Sequence, residues 1–383
     1  MDAPGRAWEA PGMVRPKRYA LAIELTAYCN QRCGYCYNDW RAEPGSVPSL
    51  TSPELLGAIE RAVTEVEFDH VTLTGGEPFA RNDFFEVMAL LQRHNLRALI
   101  ISNGGLITDA LAARVAPFRP LFIQVTLNGT DAAGHEAHVG TGHDHFAKTL
   151  RGIAALKAHK VNVTGSIVVT RQNARQVGDI LDLWRSLGVD DVALSRYSPA
   201  GFAAEQVATL LPSRSDLVEA LTQGELRGRD HGMRLQVTMP VPPCVIDTAA
   251  FPHIRFSACP IGTEMQEFSL GPRGELRHCT LHTSSLGDVR TESVAAMVTS
   301  PAVMHYRDVT PAFCAPCEHR TSCIGGCGAA AASVLGDPRG LDPLVAQHVD
   351  DDFRAALKRA RREGEVFVPV GRLARRPVAP PTA

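Results

Sequence analysis

The chain is short of charge imbalance. Its 39 basic and 41 acidic residues leave a net charge of about −2. So balanced a surface gives no electrostatic case for nucleic acid or an anionic membrane as partner. A run of 18 apolar residues is also missing, which excludes an ordinary helical membrane span. The first residues, "MDAPGRAWEAPGMVRPKRYA", contain no apolar h-region, so no secretory signal is read there and the cytoplasm is the expected location. No internal repeat shows beyond the strand–helix units described below. Finally, the long stretch between Cys36 and Cys244 has no cysteine at all. A chain using cysteine as a small core residue would scatter it.

What is present is an ordinary globular mix, 45% hydrophobic and 21% charged, over 383 residues. That length is a soft prior for two or three domains. The ten cysteines occupy two addresses: Cys29, Cys33 and Cys36, then seven from Cys244 to Cys327. In a reducing compartment such clusters read as metal ligands rather than a disulfide framework.

Residues 1–18 read as a flexible leader rich in Pro, Gly and Arg. "RYALAIEL" reads as a strand running directly into the first cysteines. "SPELLGAIERAVTEV" follows as a helix, with Ser52 as N-cap and Pro53 at the first helical position. The alternation then repeats through "DHVTLTG", "RALIISN", "LFIQVTLN", "VNVTGSIVVT" and "VDDVALSRY", each but the last followed by a helical stretch. Six strands alternating with helices imply an α/β domain with a parallel sheet over 19–200. A closed or partly closed barrel is favoured, with a doubly wound sheet as the alternative. In either, loops at the strand C-termini would carry the chemistry. Residues 201–243 read as a helical bridge. Residues 244–345 read as a loop-rich domain with a hairpin turning at Pro272-Arg273-Gly274. A C-terminal helix over 346–370 and a disordered tail over 371–383 complete the expectation.

In "TAYCNQRCGYCYNDW" three cysteines fall within eight positions. Zinc prefers a closed tetrahedral site, and three thiolates do not close one. An iron–sulfur cluster on three cysteines leaves one iron without a protein ligand, free to take an exogenous chelator. The Cys29, Cys33, Cys36 spacing, with Tyr35 before the last, resembles the CxxxCxxC signature of the radical S-adenosylmethionine (SAM) enzymes. "TGGEPF" at the next strand end resembles their SAM-binding turn. The resemblance implies a partial (β/α)6 TIM-type barrel carrying a [4Fe–4S] cluster. It assigns Gly75, Gly76 and Glu77 to the SAM amino group and puts Tyr35 near the adenine. Asn103 in "SNG", with Thr126 and Asn128 in "VTLNG", match further SAM-contacting strand ends. Reductive cleavage of SAM would then yield a 5′-deoxyadenosyl radical that abstracts hydrogen from a substrate. The sequence departs from the pattern at Asn128, where relatives often carry Asp. "GHEAHVGTGHDHF", with His135, His138, His143 and His145, reads as a solvated Gly-rich loop rather than a metal site.

In the second region, Cys314, Cys317, Cys323 and Cys327 follow Cys259 and Cys279, and zinc is the competing reading. The combination resembles the SPASM domain, which follows many radical SAM barrels and holds one or two auxiliary [4Fe–4S] clusters. By that resemblance Cys259, Cys279 and Cys327 serve one cluster, with Cys244 as their fourth ligand. Cys314, Cys317 and Cys323 serve the other. Its usual last cysteine is missing: Val345 stands near that place, leaving His348, an aspartate or an open iron. Substrate-side catalytic groups are not identifiable. The resemblance points to an oxidoreductase that modifies a peptide or protein. Thr280, where sulfatase maturases carry Asp, argues against that particular activity. The alternatives are oxidation of a small molecule such as a tetrapyrrole, or a non-catalytic iron–sulfur electron carrier. The expected partners are the substrate, an electron donor such as flavodoxin or ferredoxin, and a separate peptide-recognition protein.

Overall fold

The computed structural model describes residues 19–38, 49–140 and 142–363. The expected leader over 1–18 and tail over 371–383 lie outside the described residues, as does the end of the expected helix after residue 363.

Among the described residues eleven strands form one sheet: β1 Tyr19–Glu24, β2 Phe68–Thr74, β3 Ala98–Ser102, β4 Ile123–Thr126, β5 Val163–Val169, β6 Asp191–Arg196, β7 Arg234–Val237, β8 Ile254–Phe256, β9 Glu267–Leu270, β10 Glu275–Arg277 and β11 Ser285–Asp288. Their spatial order is β11-β10-β9-β1-β2-β3-β4-β5-β6-β7-β8. Every pairing from β1 to β8 is parallel. Among the described residues no ladder joins β8 back to the other end of the sheet, so the barrel is partial. β1 is buried along its whole length. Such a strand, apolar on both faces, is what a parallel sheet covered by helices requires.

The crossover helices are α1 Ser52–Glu65, α2 Phe84–Arg93, α3 Asp109–Val115, α4 Ala132–Val139, α5 His145–Ala158 and α6 Val177–Ser186. α1 starts on a capping box in which Thr51, not Ser52, is the N-cap; Thr51 N donates to Glu54 Oε2 at 2.9 Å. α6 packs Ile180, Leu181 and Trp184, all fully buried, against the sheet.

The expected bridge over 201–243 is only partly helical. It holds α7 Val207–Leu210 and α8 Arg214–His231, and then β7, which extends the parallel ladder beyond the six strands read from the sequence. β7 has four residues and alternates exposed and buried side chains, too short a run to show periodicity. The hairpin at 272–274 is present, with β9 and β10 antiparallel. β9 also pairs in parallel with β1. The cysteine-rich region is therefore built onto the free edge of the first strand. The helix expected over 346–370 is two helices, Pro343–Val349 and Asp351–Glu363. Asp350 breaks them by leaving helical geometry and accepting from Phe353 N at 3.0 Å. Among the described residues no helix is long and apolar enough to cross a membrane.

Two buried ion pairs hold the cysteine-rich region on the barrel mouth. Arg277 on β10 donates to Glu24 at the end of β1, and Arg196 at the end of β6 donates to Asp342. All four side chains are at least 96% buried.

Candidate metal and cofactor centre

Cys29, Cys33 and Cys36 are half-buried in the loop that leaves β1. The loop is fixed by backbone bonds rather than by secondary structure of its own. Arg32 N donates to Val139 O at 2.9 Å and Gly34 N to His138 O at 3.0 Å. These are carbonyls of the last turn of α4, which have no partner within their own helix. On the other side Ala203 N donates to Cys36 O at 2.8 Å. Burial pushes the Cys29 thiol up to about 12, and the charge of Glu77 adds to it. A pocket so hostile to a bare thiolate is suited to a cationic metal group, which reverses that preference.

Glu77 follows β2 and is fully buried. Its carboxylate accepts from Ser102 Oγ at 2.8 Å, Asn103 N at 2.9 Å and Phe79 N at 3.2 Å. Burial nevertheless raises it to about 7 against those three bonds. A buried carboxylate that its own hydrogen bonds leave incompletely compensated is suited to a cationic ligand. The two glycines before it face the backbone of the cysteine loop. Gly76 N donates to Thr26 O at 2.7 Å and Glu77 N to Tyr28 O at 2.8 Å. A methyl group on Gly76 would overlap the Tyr28 carbonyl, and Gly75 adopts φ 127°. Gly76→Ala should therefore destabilise the protein by about 1–3 kcal/mol through overpacking. Loss of iron at the first cysteine site should accompany it. Wild-type thermal stability and iron content in that variant would contradict this.

Asn103, after β3, sits between the carboxylate and the cysteines. Its Nδ2 donates to Asn30 Oδ1 at 2.7 Å and reaches Cys29 Sγ at 3.7 Å. Asn128, after β4, is fully buried, with Oδ1 accepting from Val168 N at 2.8 Å and its side chain within reach of the Tyr35 hydroxyl. Thr126 is half-buried at the end of β4. Tyr35 is half-buried against the cluster around Tyr197 and Leu211; burial and then the charge of Cys33 raise its phenol well above the ordinary range.

The histidine-rich stretch is not a solvated loop. His135 and His138 are buried on α4, and His145 is buried at the start of α5; only His143 is exposed. Asp131 caps α4 by accepting from Gly134 N at 2.7 Å. His135 Nδ1 accepts from Asn128 N at 3.3 Å, and His138 Nε2 lies 3.2 Å from Thr170 Oγ1. Burial lowers both imidazoles, His135 to about 4. They brace the strand-end loops as neutral groups. Ser102, Asn30 and α4 were missed by the sequence reading. Ser102 lies in the quoted "SNG", but its reach to Glu77 depends on how β2 and β3 pair.

The remaining seven cysteines fall into two neighbourhoods that meet where the charge of Cys323 also reaches Cys259. Burial pushes the Cys279 thiol up to about 12 and the Cys259 thiol to about 11; Cys327 adds to each, and Cys259 also raises Cys279. Tyr306 faces the same three thiols, its phenol raised by burial and by their charges, with His282 Nε2 3.0 Å from its hydroxyl. Cys314, Cys317 and Cys323 line a second cavity, and Cys244 lines that cavity with them. The structure thus groups Cys244 with Cys314, Cys317 and Cys323, not with the Cys259 set that the sequence resemblance suggested. His348 is exposed, and the Asp342 carboxylate is committed to Arg196, Cys327 N and Leu344 N.

Residues 23–183 match the Radical SAM superfamily. The chain is 27% identical to a PqqA peptide cyclase of Granulibacter bethesdensis over 336 residues, covering 85% of this chain and 86% of that protein. It is 28% identical to the mycofactocin maturase MftC of Mycobacterium tuberculosis over 201 residues, 52% of this chain and 50% of that protein. Its fold resembles native anSMEcpe with bound AdoMet and Cp18Cys peptide: TM-score 0.65, 17% identity, 91% of this chain and 100% of that one. It also resembles Streptococcus suis SuiB bound to S-adenosylmethionine, with TM-score 0.65, 15% identity, 85% of this chain and 76% of that one.

Proposed function

The chain is a radical SAM enzyme, and from that premise we propose that it modifies a peptide, with SAM bound between the first cysteine triplet and the second strand end. One observation carries the reading. A buried carboxylate, Glu77, is held by Ser102, Asn103 N and Phe79 N within electrostatic reach of Cys29. A [4Fe–4S] cluster on Cys29, Cys33 and Cys36 would supply the electron that cleaves the SAM sulfonium. The chain's own residues do the rest. Glu77 pairs with the SAM ammonium, and Asn103 fixes both that carboxylate and the cysteine loop. The covered barrel mouth keeps water from a reactive intermediate. Peptide as the substrate class rests on similarity over most of the chain to proteins named as PqqA peptide cyclases. The cytoplasm is part of the proposal, because a reducing compartment keeps the cysteines available to metal, and so is a small electron-carrier protein as reductant.

The test is mass spectrometry on short peptides encoded beside the gene. They are incubated anaerobically with SAM, a reductant and cluster-loaded protein. A peptide crosslinked by the enzyme loses two hydrogens as 5′-deoxyadenosine accumulates. Consumption of a tetrapyrrole or other small molecule, with all peptides unchanged, would overturn the substrate class.

Glu77→Gln tests the SAM pocket. It keeps the shape and removes the charge opposite an ammonium. A charge-assisted hydrogen bond of about 1.5–3 kcal/mol corresponds to roughly 10–150-fold weaker SAM binding. Equilibrium binding to the cluster-loaded variant checks it; unchanged affinity would remove Glu77 from the pocket.

A further inference from the structure

Cys244 lies on "PVPPCVID", far in sequence from the other cysteines that line its cavity. The cavity has a volume of about 500 Å3, and Cys244, Cys314, Cys317 and Cys323 all line it. Val345, near the place where the family resemblance calls for a cysteine, lines it too. Three of these thiols are presented by tight local turns. Cys317 N donates to Cys314 O at 3.0 Å, and Cys323 N to His319 O at 2.8 Å. Cys244 is presented by a turn of its own, with Val245 N donating to Pro242 O at 2.9 Å. The next two residues, Val245 and Ile246, are each 2% exposed and anchor that turn in the core, while Cys244 itself is exposed. Arg214 Nε adds a bond to Val245 O at 2.7 Å. An exposed cysteine held rigidly at the rim of a three-cysteine cavity needs an account.

We propose that Cys244 is the fourth ligand of the cluster held by Cys314, Cys317 and Cys323, supplying from an upstream loop the thiolate that Val345 does not. The inference rests on the reading that this chain holds iron–sulfur clusters. Of the alternatives read from the sequence, His348 does not line the cavity, and Asp342 is engaged with Arg196, Cys327 N and Leu344 N. Glu318 and His319 line it as well, and the Cys244→Ala variant below separates their contribution from that of Cys244. The assignment closes this site with four thiolates. It leaves Cys259, Cys279 and Cys327 as a three-thiolate set, so the open auxiliary corner moves to the site that Tyr306 faces.

The test is site-resolved thiol alkylation of the full-length protein, reconstituted anaerobically with iron and sulfide, before and after stripping with a chelator. An exposed free thiol reacts readily with iodoacetamide, and a ligating one does not. In the loaded protein Cys244 should react at least about tenfold more slowly than in the stripped protein. Cys244→Ala should expose Cys314, Cys317 and Cys323, leave Cys259, Cys279 and Cys327 protected, and remove about four iron atoms. Adding Val345→Cys to that variant should restore protection. Free alkylation of Cys244 in loaded wild-type protein, with the other cysteines protected, overturns the inference alone. So does a Cys244→Ala variant that exposes the Cys259 set instead, or neither set. If Cys244→Ala misfolds, the wild-type comparison still decides. Wild-type protein that retains no iron and protects no cysteine overturns the cluster reading itself.

Discussion

Replacing Cys29, Cys33 and Cys36 together with Ala should reduce SAM cleavage to background while leaving about two thirds of the iron in place. Three four-iron clusters amount to about twelve iron atoms per chain. The triplet variant should keep about eight. The separation follows from the architecture. The first cysteines lie on the loop after β1, tied to α4 and to Phe202 and Ala203. The other seven lie on the C-terminal region, which reaches the barrel through β9 and the two buried ion pairs. Removing three thiols from the first loop breaks none of those connections. Cleavage is measured as 5′-deoxyadenosine formed under reducing conditions, and iron by chemical assay of the same samples. Two results would count against the reading. Wild-type protein that binds about twelve iron atoms yet never cleaves SAM would be an electron carrier. A triplet variant that still cleaves SAM would move the chemistry to an auxiliary site.

The candidate centre was legible in the sequence where its ligands are local, and illegible where the fold brings distant residues together. Cys29, Cys33 and Cys36 are neighbours in the chain, so their spacing, in the context of the strand before it and the "TGGEPF" turn after it, could be read as a motif from the sequence. Glu77 was legible because it ends a strand next to β1. The six-strand alternation was legible because each strand is followed by a helix with its own period. β7 was not, since its exposed and buried residues alternate over only four positions. The histidines of α4 were misread as a solvated loop because glycines surround them. The helix forms because Asp131 caps it and the cysteine loop satisfies its last carbonyls. The grouping of Cys244 was hidden for a stricter reason. Nothing in the residues between Cys244 and Cys314 says which of two cysteine sets the Pro-Pro turn will face. That is decided by where Val245 and Ile246 pack, which is a property of the assembled core.

Arg277→Met should be the most damaging single substitution outside the cysteines. Arg277 stands 253 positions from Glu24 in sequence, and both are almost wholly buried. The guanidinium also donates to His282 O at 2.9 Å, between the Cys279 loop and the strand that launches the first cysteines. Burial pulls it down to about 10, and Glu24 Oε1 has no hydrogen-bond partner at all. The pair is therefore costly to bury, and costlier still to break. Removing one partner leaves a carboxylate uncompensated in the core, at about 3–5 kcal/mol. For a chain of this size that lowers the thermal midpoint by roughly 5–10 °C. Arg277→Lys should recover only part of the loss, because a point charge cannot reproduce the fork reaching Glu24 and His282 O together. Glu24→Gln with Arg277→Met should be less destabilised than the two single effects added, since no unpaired charge remains. Thermal unfolding of the anaerobic, cluster-loaded proteins measures all four variants. Additive losses would show that the two groups act independently. A midpoint unchanged in Arg277→Met would mean that the sheet edge between β1 and β9 holds the cysteine-rich region without them.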